Sequence, residues 1–64
     1  MGLEEYFARA IAIYKGLEKK TEANRREMRE VLRKYQVAKD YGDINTPAQT
    51  RLDSLFYDIR KELR

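Results

Sequence analysis

From Leu3 to Ala38 the apolar positions recur at alternating steps of four and three. Leu3, Phe7, Ala10, Tyr14, Leu17, Thr21, Asn24, Met28, Val31, Tyr35 and Ala38 all keep this spacing, which lines up one face of an α-helix. Two neighbouring positions of the seam, Thr21 and Asn24, are polar. Asn24 with Glu27 three residues later has the pattern of a helix cap and its partner, and Thr21 is a second candidate cap. The charges divide the segment at the same place. Glu4 and Glu5 precede Lys15, Lys19 and Lys20; Glu22 and Glu27 then precede Arg33, Lys34 and Lys39. Acid at the start and base at the end suits a helix dipole, and here the arrangement occurs twice. The pattern therefore predicts helices near residues 3–20 and 24–41, with a chain reversal between Lys20 and Arg25.

A sharper break follows at residues 41–47. Gly42 suits the left-handed position that closes a helix. Thr46, Pro47 and Gln49 read as a cap, a first helical residue and a capping-box partner. The third helix is expected over 47–64, with Ala48, Leu52, Leu55, Phe56, Ile59 and Leu63 as its apolar stripe. No strand-like alternation, repeat or linker interrupts the chain. These elements predict one all-α domain over 1–64, a three-helix bundle in up-down-up antiparallel order. The alternative is one long helix over 3–41 with a shorter helix over 47–64 folded back on it.

The second helix offers Met28, Val31, Leu32, Tyr35 and Ala38 to a core. The first offers more than one stripe: Leu3, Phe7, Ala10, Tyr14 and Leu17, with Tyr6 and Ile13 beside them and Ala8, Ile11 and Ala12 widening the arc. A bundle helix needs an apolar arc of roughly 100°, and this one exceeds it. Tyr6, Ile11 and Ile13 are the expected interface residues, for a protein partner or a second copy of the chain. The five tyrosines and two phenylalanines fall at helical spacing and read as core and rim rather than as a base-stacking platform.

Composition narrows the chemistry. The 64 residues contain no cysteine and no histidine, so disulfides, Cys/His zinc sites, the commonest general base and the thiol nucleophile are all missing. Ser54 has no glycine elbow, and the glycines at 2, 16 and 42 form no phosphate loop. The carboxylate pairs Glu18/Glu22 and Asp58/Glu62 lack the histidines of bundle metal sites. The expectation is a non-enzyme with no cofactor, metal or small-molecule substrate. No apolar run approaches a membrane span, and Glu4 and Glu5 stand where a signal peptide would be basic; the expected location is cytoplasmic. Charged residues make up 39% of the chain, a balance that resembles proteins from hot environments.

One surface is basic. Residues 15–34 hold eight Lys or Arg against four Glu, a local +4 that exceeds the +3 of the whole chain. Arg25, Arg29 and Arg33 are four apart on one helix face, with Arg26 beside them. Pairing of Glu30 with Arg26 and Lys34, and of Glu22 with Arg26, would leave the Arg25–Arg29–Arg33 row less matched. The resulting alternative function is an RNA- or DNA-binding accessory protein gripping phosphate with Arg25, Arg26, Arg29 and Arg33. The stretch 38–52, with Ala38, Gly42 and the capped start at Thr46-Pro47, resembles the alanine–glycine signature of helix-turn-helix DNA-binding proteins. That resemblance implies base contacts from Gln49, Thr50, Arg51 and Ser54. The sequence departs from that pattern at Asp43, where the family carries an apolar residue, and Asp53 and Asp58 on the third helix oppose phosphate. The chain as a whole is assigned to no family on this stretch.

Overall fold

The computed structural model of the chain describes residues 2–63. It consists of α1 (Leu3–Gly16), α2 (Glu22–Asp40) and α3 (Thr46–Glu62). Helix α1 packs against both of the others. An ion pair joins Glu4 near the start of α1 to Arg51 in the first half of α3, so these two helices run in parallel. Helix α2 runs antiparallel to both: Tyr35, near its end, meets Phe7 of α1 and Asp53 of α3. This is the up-down-up three-helix bundle. The long-helix alternative does not form. At about 1.5 Å per residue a rod over 3–41 would reach about 58 Å, whereas the molecule measures 33 Å in its longest dimension.

Local chemistry sets each boundary. Helix α1 stops at Gly16 rather than at residue 20, because Leu17 turns to extended backbone (ψ 129°). The reversal occupies Leu17–Thr21, slightly earlier than expected. Its carbonyls find donors: Arg25 Nη1 donates to the Lys20 carbonyl at 2.8 Å and Lys20 Nζ to that of Leu17 at 3.4 Å. The cap of α2 is Thr21, not Asn24. Thr21 Oγ1 accepts from the Asn24 amide, and Asn24 Oδ1 accepts from the Thr21 amide, which makes Asn24 the reciprocal member of a capping box. Helix α3 is capped one residue earlier than expected, by Asn45, whose Oδ1 accepts from the Ala48 amide at 2.9 Å. Gln49 instead donates its side-chain amide to the Ile44 carbonyl at 2.7 Å. Arg64, the expected end of the third helix, lies outside the described residues.

The end of α2 forms as the glycine predicts. Gly42 adopts φ +73°. Its amide donates to the Lys39 carbonyl and the Asp43 amide to that of Ala38, the paired bonds of a left-handed helix termination.

Three aromatic rings, one from each helix, meet at the centre of the core, and Tyr14 of α1 adds a fourth buried ring. Phe7, Tyr35 and Phe56 are all buried; Phe7 meets Tyr35 edge-on at 5.3 Å and Tyr35 lies 4.7 Å from Phe56. Ile11, Tyr14, Met28, Ala38, Ala48, Leu52 and Ile59 complete it, together with Ile44 from the α2–α3 turn. Val31, Leu32, Leu17 and Leu63 are only partly buried around this centre, and Leu55, expected in the stripe of α3, is exposed. Tyr35 crosses the core with its ring to the α2–α3 seam, where its hydroxyl, still buried, donates to Asp53 Oδ1 at 2.7 Å. Lys39 Nζ lies 3.3 Å from the same oxygen. Among the described residues no helix is long and apolar enough to cross a membrane.

Candidate functional site

The outer face of α1 leaves apolar surface exposed. Phe7, Ile11 and Tyr14 point into the bundle. Tyr6 and Ile13, seven residues and therefore two turns apart, stand on the adjoining face at 40% and 63% exposure. Ala10 and Leu17 continue this stripe, each partly buried. Beside it a groove of about 240 Å³ runs between α1 and α2, lined mainly by Ala10, Ile13, Tyr14, Leu17, Met28 and Val31. The groove exists because α1 turns Ala10 toward α2, where a short side chain leaves space between flanking large ones.

The structure separates the three expected interface residues. Tyr6 and Ile13 share the exposed stripe. Ile11 is 2% exposed and belongs to the core, which removes it from any surface. Helical periodicity explains the difference: Ile11 follows Phe7 by one turn and inherits its inward direction. The α2 side of the groove, Met28 and Val31, was not legible as part of a surface, since both read as ordinary core positions.

One polar atom in the core beneath this surface has no partner. Tyr14 is buried, and its hydroxyl makes no hydrogen bond with a described residue. Burial pushes its phenol up, with the Glu62 carboxylate adding to the effect and Arg25 and Arg29 opposing it. Lys20 Nζ sits 5.2 Å from the centre of its ring.

The arginine row is matched, contrary to the sequence expectation. Glu22 lies on the same face as Arg25 and, two turns on, Arg29. Its two oxygens pair with Arg25 Nη2 at 3.0 Å and Arg29 Nη1 at 3.2 Å. Arg33 pairs with Glu30. The arginines hold both carboxyls below their ordinary range, Glu22 through hydrogen bonds first from Arg29 and then from Arg25, Glu30 through the bond from Arg33. Arg26, expected to be neutralised by Glu22 and Glu30, is the member of the cluster with no ion-pair partner among the described residues. The row is therefore interrupted by carboxylates, and Arg25 also ties down the α1–α2 reversal. Of the contacts implied by the helix-turn-helix resemblance, Arg51 is held by Glu4, Gln49 by the Ile44 carbonyl, and Thr50 Oγ1 donates to the Thr46 carbonyl.

Among the described residues no group of three or more Asp or Glu is placed to hold a metal ion. No family model matches the chain, and no curated protein or solved structure matches it either.

Proposed function

We propose that the chain is a non-catalytic interaction module that pairs with a second copy of itself through the outer face of α1. The observation that carries this reading is the exposed Tyr6–Ile13 stripe flanking the short side chain of Ala10. Two such helices crossing antiparallel at Ala10 set Tyr6 of each copy beside Ile13 of the other. The close approach at the crossing needs a small residue, and Ala10 supplies it.

Specific dimers bury about 800 Å² per partner, roughly one-sixth of the 4717 Å² this chain exposes. One face of a fourteen-residue helix falls short of that, so the contact extends across the groove onto Val31 of α2.

Sedimentation equilibrium over low-micromolar to near-millimolar protein tests the proposal. The wild-type chain is expected to pass from monomer to dimer, while Ile13→Glu stays monomeric and folded by circular dichroism. A wild-type monomer across the whole range overturns it, as does a dimer indifferent to Ile13→Glu.

A further inference from the structure

A second surface, on the opposite α2–α3 side, has different chemistry. Lys39 of α2 and Asp53, Tyr57, Arg60 and Lys61 of α3 enclose an open pocket of about 340 Å³. That volume falls at the low end for small-ligand pockets, roughly 300–1,000 Å³. The pocket holds three cationic side chains and one carboxylate. The carboxylate is already engaged: Asp53 accepts from the Tyr35 hydroxyl at 2.7 Å and pairs with Lys39 at 3.3 Å. Lys39 is held in place from a second side, its ammonium 4.8 Å from the Tyr35 ring centre.

Arg60 and Lys61 are left over. Neither has an ion-pair partner among the described residues. Lys61 folds back over the Tyr57 ring, its ammonium 4.7 Å from the ring centre, so its charge is held at the pocket rather than ranging through solvent. The pocket thus carries a surplus of positive charge, with Arg60 and Lys61 set against a Lys39–Asp53 pair whose carboxylate also feels Arg60. A guanidinium grips two phosphoryl oxygens at once, and an ammonium adds charge without demanding geometry.

We propose that this pocket binds the diphosphate group of a small anionic ligand. Arg60 takes oxygens of one phosphoryl group, and Lys61 and Lys39 face the other. Free diphosphate and a nucleoside diphosphate share this chemistry. They differ in whether a base adds contact with the Tyr57 ring, which is 53% exposed.

The test is titration calorimetry of the whole chain with inorganic diphosphate and with a nucleoside diphosphate, backed by amide chemical shifts of the α3 residues. Saturable binding is expected with at least one of them. Arg60→Gln and Lys61→Gln should each weaken it by roughly ten-fold, the scale of one lost charge-assisted hydrogen bond. Arg26→Gln, on the far side of α2, should leave it unchanged. Equal affinity for the two ligands assigns recognition to the diphosphate alone; tighter binding of the nucleoside form, lost in Tyr57→Ala, adds the ring. The proposal is overturned by absence of saturable binding to either ligand. It is equally overturned by binding that Arg26→Gln weakens as much as Arg60→Gln, which would mark a general attraction to a basic protein. Both substituted side chains project from the solvent side of α3, so the variants keep the fold.

Discussion

The Tyr35 hydroxyl lies 2.7 Å from Asp53 Oδ1 across eighteen residues of chain, whereas the hydroxyl of Tyr14, equally enclosed, meets no partner among the described residues. The two tyrosines should therefore respond in opposite ways to loss of one oxygen atom. Tyr35→Phe removes a hydrogen bond to a charged acceptor. Asp53 is half exposed, so water takes up part of the loss, and the expected destabilisation is about 1–2 kcal/mol. Tyr14→Phe removes a polar group that folding desolvates without compensation, so it should be neutral or stabilising by up to about 1 kcal/mol. Urea unfolding of both variants measures this. A Tyr14→Phe variant that loses as much as Tyr35→Phe would show that the Tyr14 hydroxyl is satisfied in solution.

The same pair predicts a dependence on pH. Asp53 is held below its ordinary range, chiefly by the hydrogen bond from Tyr35, with burial opposing and Lys39 assisting. A folded-state value below the unfolded one gives stability that is present above about pH 4 and lost as pH falls through the lower folded value. Tyr35 is shifted upward, first by burial and then by its bond to Asp53. Its contribution is complete below about pH 10 and lost as pH rises through the raised value. The stability difference between the wild type and Tyr35→Phe should thus be flat from about pH 5 to about pH 9 and shrink on both sides. Unfolding midpoints measured across that range check it; a difference that does not change with pH would detach Tyr35 from Asp53.

The glycines give a third comparison. Gly42 has φ +73° and open space around the position of a Cβ, and Gly16 has open space and no positive φ. Gly42→Ala should cost about 1–2 kcal/mol through backbone strain alone, and Gly42→Asn should cost less because asparagine tolerates the left-handed region. Gly16→Ala, at the last residue of α1, should stabilise by up to about 1 kcal/mol. Thermal unfolding of the three variants tests the assignment. Equal effects at the two glycines would mean that the α2 termination is not the one described.

These cases mark how far the sequence could be read. Gly42 was legible because only one kind of backbone needs a glycine between two amphipathic stretches. The α1–α2 reversal was legible as a break but misplaced by a few residues, since Thr21 and Asn24 both suit a cap and each serves the other in a reciprocal pair. The caps at Asn45 and Thr46 were ambiguous for the same reason. Ile44 was not legible as core: it lies in a turn, where no periodicity points it inward, and only the path of the chain over the end of the bundle buries it. The pairing of the arginines runs opposite to what their spacing suggests. Glu22 reaches Arg29 two turns away, and a choice among several helix-surface partners is decided by side-chain geometry that spacing leaves open. The surplus of apolar surface on α1 was legible as a whole, but its division between Ile11 inside and Ile13 outside depends on where α2 and α3 settle.

Glu22 bridges Arg25 and Arg29 at the helix surface, so its carboxylate both cancels charge and occupies the guanidinium faces that would otherwise meet phosphate. The wild-type chain should bind a duplex or single-stranded oligonucleotide weakly at low salt and without sequence preference. Glu22→Gln frees the Arg29 guanidinium without altering the core, while Arg25 stays bonded to the Lys20 carbonyl. Affinity should rise, and the slope of log affinity against log salt should steepen by about one. The unfolding midpoint should barely move, because the pair is solvent-exposed and worth little to stability. Fluorescence anisotropy at several salt concentrations reads both the affinity and the slope. If wild type and Glu22→Gln bind with the same affinity and slope, Glu22 does not mask the row.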